Sequence, residues 1–409
     1  MMFRWFMSKT VREALAEHKH YRRLLAAQRD LLSPQAIAPV QAKLDELRAA
    51  IQEGPQAQIT AKVGELQSIA AKWLKPYPNA AWRENVEVLL VALAVAMGIR
   101  TFFLQPFKIP TGSMQPTLFG VTSKNYLAPG ENPEVQFPQG FERVKKWFQG
   151  FSYLDIVAEN DGRIEQIAPP FGIKVVNFWQ KFQLGGKEYT IWFPPDYGEP
   201  PPGIIPLAYR AGLVPDHNYK KGDHVIKLRM AAGDHLFVDR FSYNFRKPAR
   251  GDTIVFETAG ISEPMRDRYN IPADEFYIKR LVGLPGEKVS IGNDRHLRVN
   301  GQRLDASTPH FENVYGFNPA EPPRDSQWSG HLNGTVAQEY GVRNVSYLPM
   351  FPDQDTVFDV PADSCLPMGD NTCVSLDSRF WGALPENYII GKSFFVYWPL
   401  TSRFGWANE

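Results

Sequence analysis

The chain has 409 residues and a formal net charge of +1. This length allows two or three domains, and the near-neutral charge does not favour nucleic acid as the main partner. Hydrophobic residues make up 44% of the chain, which is enough for a packed core. The two cysteines, Cys365 and Cys373, are too few for a disulfide framework or a zinc site. Either they pair across a short loop in an oxidising compartment, or they stay unpaired as small apolar side chains.

Residues 1–85 read as a helical region, with helix predicted over most of 8–75 and interruptions at Pro34 and Pro39. Two apolar stripes with helical spacing flank a Gly54-Pro55 turn, which predicts a helical hairpin. The hairpin either packs on itself or on a membrane surface, or it mediates dimerisation. The stripes are Ile37, Val40, Leu44, Leu47 and Ile51, and then Ile59, Val63, Leu66 and Trp73. A link is predicted at Pro76, Pro78 and Asn79.

Residues 86–105 are predicted to form a transmembrane helix. The apolar run Val88–Ile99 has only twelve residues, which alone fits a buried core helix. Extension from Val86 through Leu104 gives about nineteen residues, enough to cross a bilayer. The basic residues that precede the run predict a cytoplasmic N-terminus. They are Lys72, Lys75 and Arg83.

Residues 106–409 predict a mainly β, largely antiparallel domain. Short runs rich in Val, Ile, Phe and Tyr alternate with Gly, Pro, Asn and Asp, which is typical of strands and turns. Strands are predicted at His235–Asp239, Thr253–Glu257 and Ser393–Trp398. Residues 289–299 predict a hairpin, and Asn300-Gly301 supplies the next turn.

Two residues carry most of the chemical information. Ser113 lies in a Gly-Ser turn just after the apolar run, and Lys279 lies in a strand-like segment among apolar residues. A serine hydroxyl becomes a nucleophile when a nearby group takes its proton, and a neutral lysine can do this. A free lysine has a pKa near 10.4, but burial among apolar groups lowers it, and a value of about 8 costs roughly 3 kcal/mol.

Five segments in order resemble the bacterial type I signal peptidases. They are the apolar run, PFKIPTGSMQPTL at 106–118, RGDTIVF at 250–256, the stretch around Lys279, and GDN at 369–371 followed by SLDSRFWG at 375–382. The resemblance implies an antiparallel β catalytic domain of signal-peptidase type, preceded by a transmembrane helix and the N-terminal helical hairpin. By the same resemblance, Ser113 is the nucleophile and Lys279 the general base.

The resemblance assigns supporting roles to further residues. The Thr111 hydroxyl and the Ser113 N–H match the family's oxyanion hole, and Ser375 matches a serine that orients the lysine amine. Asp377 and Arg379 match a structural charge pair. Three apolar residues match shallow substrate pockets that accept small side chains: Phe107, Ile109 and Ile278. Since neighbours on a strand point to opposite faces, Arg280 is expected on a solvated face.

The chain departs from the family at two places that bear on the site. Thr372-Cys373-Val374 stands where many members carry an Arg and other polar residues, so a positive charge is missing from this loop. Residues 119–232 read as a family-atypical insertion near the nucleophile. A catalytically idle, membrane-anchored binding protein that works through this insertion is therefore an alternative. A self-cleaving, repressor-type Ser-Lys protease is a third hypothesis, disfavoured by the apolar span.

The leading interpretation, by resemblance, is a serine endopeptidase of the cytoplasmic (inner) membrane. It would pass through the membrane once and cut signal peptides from exported preproteins after Ala-X-Ala-like sites on the outer face. Its partners would be those signal peptides and the lipid bilayer, with no nucleic acid. No metal or cofactor is called for, and the sequence does not determine the oligomeric state.

Overall fold

A computed structural model describes residues 8–75, 80–173, 176–198, 203–214, 217–345 and 347–407. The predicted link at Pro76, Pro78 and Asn79 lies outside these residues. The chain folds as two units, Met1–Val95 and Ala96–Glu409.

The first unit contains three helices that pack on one another. They are α1 (Lys9–Gln28), α2 (Pro34–Glu53) and α3 (Gln56–Trp73). The predicted hairpin is present as α2 and α3 around Gly54-Pro55, and both stripes contribute to a core shared with α1. Pro34 is the first residue of α2, where a missing N–H costs little. The predicted interruption at Pro39 is wrong, because α2 continues through it. Val40, Leu44 and Leu47 beyond it are buried, and this packing offsets the lost hydrogen bond.

The next helix, α4 (Ala80–Phe102), crosses the boundary between the units. Its segment Trp82–Phe102 has a mean hydropathy of 1.7, and none of it is buried. The segment is long and apolar enough to cross a membrane.

The second unit is mainly antiparallel β-structure. Its strands are β1 (Leu104–Lys108), β2 (Thr122–Asn125), β3 (Phe151–Val157), β4 (Gly162–Ile167), β5 (Phe171–Ile173), β6 (Val176–Leu184), β7 (Lys187–Trp192), β8 (Asn218–Tyr219), β9 (His224–Ala231), β10 (His235–Asp239), β11 (Thr253–Glu257), β12 (Phe276–Gly283), β13 (Lys288–Ile291), β14 (Leu297–Val299), β15 (Gln302–Arg303), β16 (Phe358–Asp359), β17 (Ser364–Met368), β18 (Leu384–Pro385), β19 (Ile389–Trp398) and β20 (Gly405–Trp406). Its helices are α5 (Gly140–Phe148), α6 (Pro206–Ala211), α7 (Glu263–Tyr269), α8 (Gly334–Glu339) and α9 (Ser378–Trp381). The strands predicted at 235–239, 253–257 and 393–398 are confirmed, as is the 289–299 hairpin.

The largest sheet has the order β1-β10-β19-β11-β12-β17-β18, with β20 paired to β19. A second sheet, β15-β14-β13-β16, follows β12 in the chain. Apolar side chains from both sheets are buried, including Val282 of β12 and Val289 of β13. The largest sheet brings the end of β1 and the middle of β12 into one domain, although they are distant in sequence.

Residues 119–232 form two more sheets, β2-β9-β3 and β5-β6-β4-β8, the second with β7 paired to β6. They share a separate core, in which Phe182 and Leu184 of β6 meet Ile226 and Leu228 of β9. The chain leaves β3 and returns to β9 at adjacent points, since the Ala158 N–H donates to the Asp223 carbonyl at 2.8 Å. The described residues between 159 and 222 therefore branch from one end of an antiparallel strand pair, and their apolar side chains pack against β9.

Candidate active site

The loop that carries Ser113 is anchored at both of its ends. The Ile109 N–H donates to the Asp234 carbonyl at 2.9 Å, and the Val121 N–H donates to the Pro110 carbonyl at 3.1 Å. Gly233 is required at this junction, because a Cβ there would collide with the Ile109 carbonyl oxygen. The Ser113 carbonyl accepts from the Asn371 N–H at 3.0 Å. These contacts hold the serine at a fixed position, and only 8% of it is exposed.

Lys279 reaches Ser113 from the middle of β12, where it pairs with Ile254 of β11. Its Nζ lies 2.9 Å from Ser113 Oγ and 3.0 Å from the Ile278 carbonyl oxygen. Only 4% of Lys279 is exposed, and burial lowers the pKa of its ammonium from 10.5 to about 8. The Asp377 carboxylate acts in the opposite direction but is outweighed. About one tenth of this amine is therefore neutral at pH 7 and one half at pH 8, and the neutral form is able to accept the serine proton.

Two hydrogen-bond donors at or near the serine are placed to stabilise a developing oxyanion. The Thr111 side chain is exposed two residues before Ser113. The Ser113 N–H makes no hydrogen bond to any part of the chain that the structure describes. An unengaged N–H and a nearby hydroxyl are the donors that an oxyanion requires.

Ser375 lies near the dyad without a hydrogen bond to it. A Cβ on Gly369 would collide with both Ser375 Oγ and the Ser113 carbonyl oxygen, so these two atoms lie close to the same point. Ser375 Oγ is buried and lies close enough to the Asp377 carboxylate to help lower the pKa of that group, but it makes no hydrogen bond of ordinary geometry among the described residues. The predicted hydrogen bond between Ser375 and the Lys279 amine is therefore not formed in this structure.

Asp377 and Arg379 form an ion pair whose two side chains are completely buried. The pair is bidentate, with both nitrogen–oxygen distances 2.9 Å. Burial alone would raise the pKa of Asp377, but the charge and hydrogen bonds of Arg379 outweigh it and the pKa is lowered. Arg379 also donates to Thr372 Oγ1 at 2.8 Å. Thr372 thus accepts a hydrogen bond beside the ion pair without adding a charge.

The expectation that Arg280 faces solvent is wrong. Arg280 does point away from Lys279, but that face of β12 is also covered, and only 7% of the residue is exposed. Its guanidinium binds Asp370 in a bidentate manner, with two distances of 2.7 Å. Asp370 in turn accepts a hydrogen bond from Thr117 Oγ1, on the loop that carries Ser113. Alternation along a strand predicts opposite faces, but it does not say whether the second face is exposed.

The three predicted pocket residues belong to one apolar cluster. Ile109 is buried, while Phe107 and Ile278 are partly buried and pack against the same core. The Phe107 ring also meets the Phe276 ring edge to face, with 5.3 Å between centroids. The structure therefore brings side chains of β1 and β12 together beside the dyad.

Two contacts at the nucleophile loop were not predicted. Asp325 accepts a hydrogen bond from Asn371, and the Ser326 hydroxyl donates to Gln115 Oε1. Both residues lie in an irregular segment with no recognisable motif, so no sequence signal pointed to them. Among the described residues, no group of three or more His, Cys, Asp or Glu side chains is arranged to hold a metal ion. Cys365 and Cys373 are buried, unpaired thiols.

Comparison with known proteins identifies the family. The family model described as "Signal peptidase, peptidase S26" matches residues 82–157 and 220–398. The chain therefore belongs to the signal peptidase family, peptidase S26, and the resemblance inferred from the sequence is confirmed. Residues 158–219, which the match leaves out, lie within the predicted insertion at 119–232.

Similar proteins include several signal peptidases from bacteria. A signal peptidase I of Leptolyngbya laminosa is 34% identical over 171 residues, which are 42% of this chain and 63% of that protein. A signal peptidase I of Pseudomonas fluorescens is 30% identical over 220 residues, which are 48% of this chain and 69% of that protein. A crystal structure of a signal peptidase I from Enterococcus faecalis V583 is 25% identical and covers 36% of this chain and 97% of that one, with a TM-score of only 0.22.

Proposed function

We propose that this protein is a membrane-anchored serine endopeptidase that removes signal peptides from exported preproteins by means of a Ser113–Lys279 dyad. One observation carries the proposal: a buried lysine amine lies 2.9 Å from the hydroxyl of a buried serine. Membership of the signal peptidase family supports the reaction class and the type of substrate.

In the proposed mechanism, neutral Lys279 removes the proton from Ser113 Oγ as that oxygen attacks the scissile carbonyl carbon. The Ser113 N–H and the Thr111 hydroxyl then donate to the oxyanion. The protonated lysine returns the proton to the leaving amine, which leaves an ester between Ser113 and the signal peptide. Lys279 next removes a proton from water as the water oxygen attacks the ester carbonyl carbon. The bond between that carbon and Ser113 Oγ breaks, the lysine returns the proton to Ser113 Oγ, and the signal peptide leaves with a new carboxyl group. The proposed steps use no metal or cofactor.

The substrate is proposed to bind in an extended conformation between β1 and β12. In the described sheet β1 pairs only with β10. On the other side of the site, β12 pairs with β17 through Arg280, Leu281 and Gly283. Residues 276–278 of β12 and the outer edge of β1 are thus left for an added strand. Phe107, Ile109 and Ile278 would line shallow pockets there, which favours small side chains such as those of an Ala-X-Ala site.

Helix α4 is proposed to cross the cytoplasmic membrane once, with the N-terminus inside and the catalytic domain on the outer face. Its length and composition support the span. Lys72, Lys75 and Arg83 before the apolar run support the orientation. Anchoring would hold the dyad where a signal peptide emerges from the bilayer. We also propose that the segment added to the family's domain is 158–219, because the chain leaves and returns there at one strand end.

The test is cleavage of a purified preprotein with an Ala-X-Ala site by the full-length protein in detergent, followed by mass spectrometry of the products. Ser113→Ala and Lys279→Arg are both expected to abolish cleavage, since Arg keeps the charge but does not act as a neutral base. Lys288→Arg, at an exposed position of β13, is the matched control and should cleave at the parent rate. A folded Ser113→Ala or Lys279→Arg variant that cleaves at the parent rate would refute the dyad.

A further inference from the structure

The segment 318–329 lies between β15 and α8 and has no helix or strand within it. Two of its side chains nevertheless reach residues beside Ser113. Asp325 contacts Asn371, and the Ser326 hydroxyl contacts the Gln115 side chain. Ser326 adopts a φ of +60°, a left-handed conformation that residues with a Cβ disfavour. The segment therefore holds an unfavourable local geometry while it makes these contacts.

Asn371 connects the segment to the nucleophile loop. Its backbone N–H donates to the Ser113 carbonyl at 3.0 Å. Its side-chain Nδ2 lies 3.0 Å from the Gly112 carbonyl oxygen and 2.6 Å from Asp325 Oδ1. An amide nitrogen has two hydrogens, so these two acceptors use both of them. Asn371 thus holds two consecutive carbonyls, those of Gly112 and Ser113.

The orientation of the Asn371 amide decides whether this connection holds. Rotation of the amide by 180° would place its oxygen against the Gly112 carbonyl oxygen and remove the bond. Asn371 Oδ1 is buried and has no hydrogen-bond partner among the described residues, so no contact of that oxygen selects the observed orientation. The Gly112 carbonyl and the Asp325 carboxylate only accept, and both therefore require Nδ2 to face them. The bond to Asp325 is the shorter of the two, at 2.6 Å, and its acceptor is charged, which makes it the stronger.

We propose that Asp325 is a positioning residue of the active site, which fixes the Asn371 amide and through it the turn that carries Ser113. This inference rests on the proposed function of the Ser113–Lys279 pair. Ser326 supports the opposite side of the same turn through Gln115. Loss of the carboxylate would leave Ser113 in place on average but less well aligned with Lys279 and with the scissile carbonyl. Poor alignment lowers the rate of the chemical step, while ground-state substrate binding is retained.

The decisive variant is Asp325→Asn in the full-length protein, because it preserves size and removes the carboxylate's requirement for a donor. We expect kcat for the Ala-X-Ala preprotein to fall by about tenfold, with KM and the thermal midpoint close to those of the parent. The pKa seen in the pH profile should stay unchanged, because Asp325 acts through alignment and not through the charge of Lys279. Glu321→Gln is the matched control, since it removes one exposed carboxylate from the same segment, and it should keep the parent kcat.

The exchange Asp325→Asn with Asn371→Asp gives a second, independent test. It restores a hydrogen bond between the two positions but places an acceptor against the Gly112 carbonyl, so kcat should stay low. If this double variant does not fold, Asp325→Asn alone decides.

A parent-like kcat in Asp325→Asn would overturn the inference, as would an equal loss in Glu321→Gln or recovery in the exchange. None of these outcomes affects the dyad, whose failure would instead appear as retained cleavage in Ser113→Ala.

Discussion

The titration of Lys279 gives the sharpest quantitative test of the proposed mechanism. Burial lowers the pKa of this amine from 10.5 to about 8. At about 1.4 kcal/mol for each tenfold change, the folded protein disfavours the cation by about 3 kcal/mol. Only the neutral amine accepts the proton of Ser113, so the rate should follow the neutral fraction. That fraction is about one tenth at pH 7, one half at pH 8 and nine tenths at pH 9.

The measurement is kcat/KM for an Ala-X-Ala preprotein in detergent between pH 6 and pH 10. We expect about a fivefold rise from pH 7 to pH 8, and less than a twofold rise from pH 8 to pH 9. The Lys288→Arg variant should reproduce this profile, because the Lys288 side chain is exposed and pairs with the exposed Asp359. A profile that is flat from pH 7 to pH 9, or one whose midpoint lies near 10, would show that Lys279 is not the base or is not desolvated.

Two further predictions concern stability. In the pH range between about 8 and 10.5, Lys279 binds a proton in the unfolded chain but not in the folded one. The cost of its burial is therefore complete below pH 8 and vanishes as the pH rises through 10.5. Lys279→Met should raise the free energy of unfolding by about 2 kcal/mol at pH 7 and by much less at pH 10, as measured by urea denaturation; an equal gain at both pH values would contradict this account. Arg280→Met should lower the free energy of unfolding by about 3–5 kcal/mol, because it leaves the buried Asp370 carboxylate unpaired. A loss under 1 kcal/mol would mean that water or another cation satisfies Asp370.

The parts of the fold that the sequence predicts best are those set by local patterns. Strands β10 and β11 begin and end at the predicted residues, because short apolar runs between Gly, Asp and Arg define them. The turn at Gly54-Pro55 is also predicted locally, because Gly and Pro interrupt the helical pattern. Pro39 shows the limit of a local rule, since the buried apolar face of α2 carries the helix through a residue that disfavours it.

The meeting of Ser113 and Lys279 was predicted from a resemblance and not from a local pattern. The two residues are 166 positions apart, and their contact depends on the order of strands in the largest sheet. The contacts of Arg280 and Asp325 could not be predicted in this way. Each depends on what covers a particular face or turn, and their partners lie 90 and 46 positions away.

The alternation of Lys279 and Arg280 along β12 has a consequence for which insertions and deletions the chain tolerates. Lys279 pairs with Ile254 and Arg280 with Thr253, so a shift of one position would exchange the faces that the two cations occupy. A permanently charged guanidinium would then meet the serine, and no proton acceptor would remain. Loss of one residue from β12 would thus remove the base itself, whereas loss of the segment 158–219 would leave the strands of the dyad in place and uncover the core that it shares with β9.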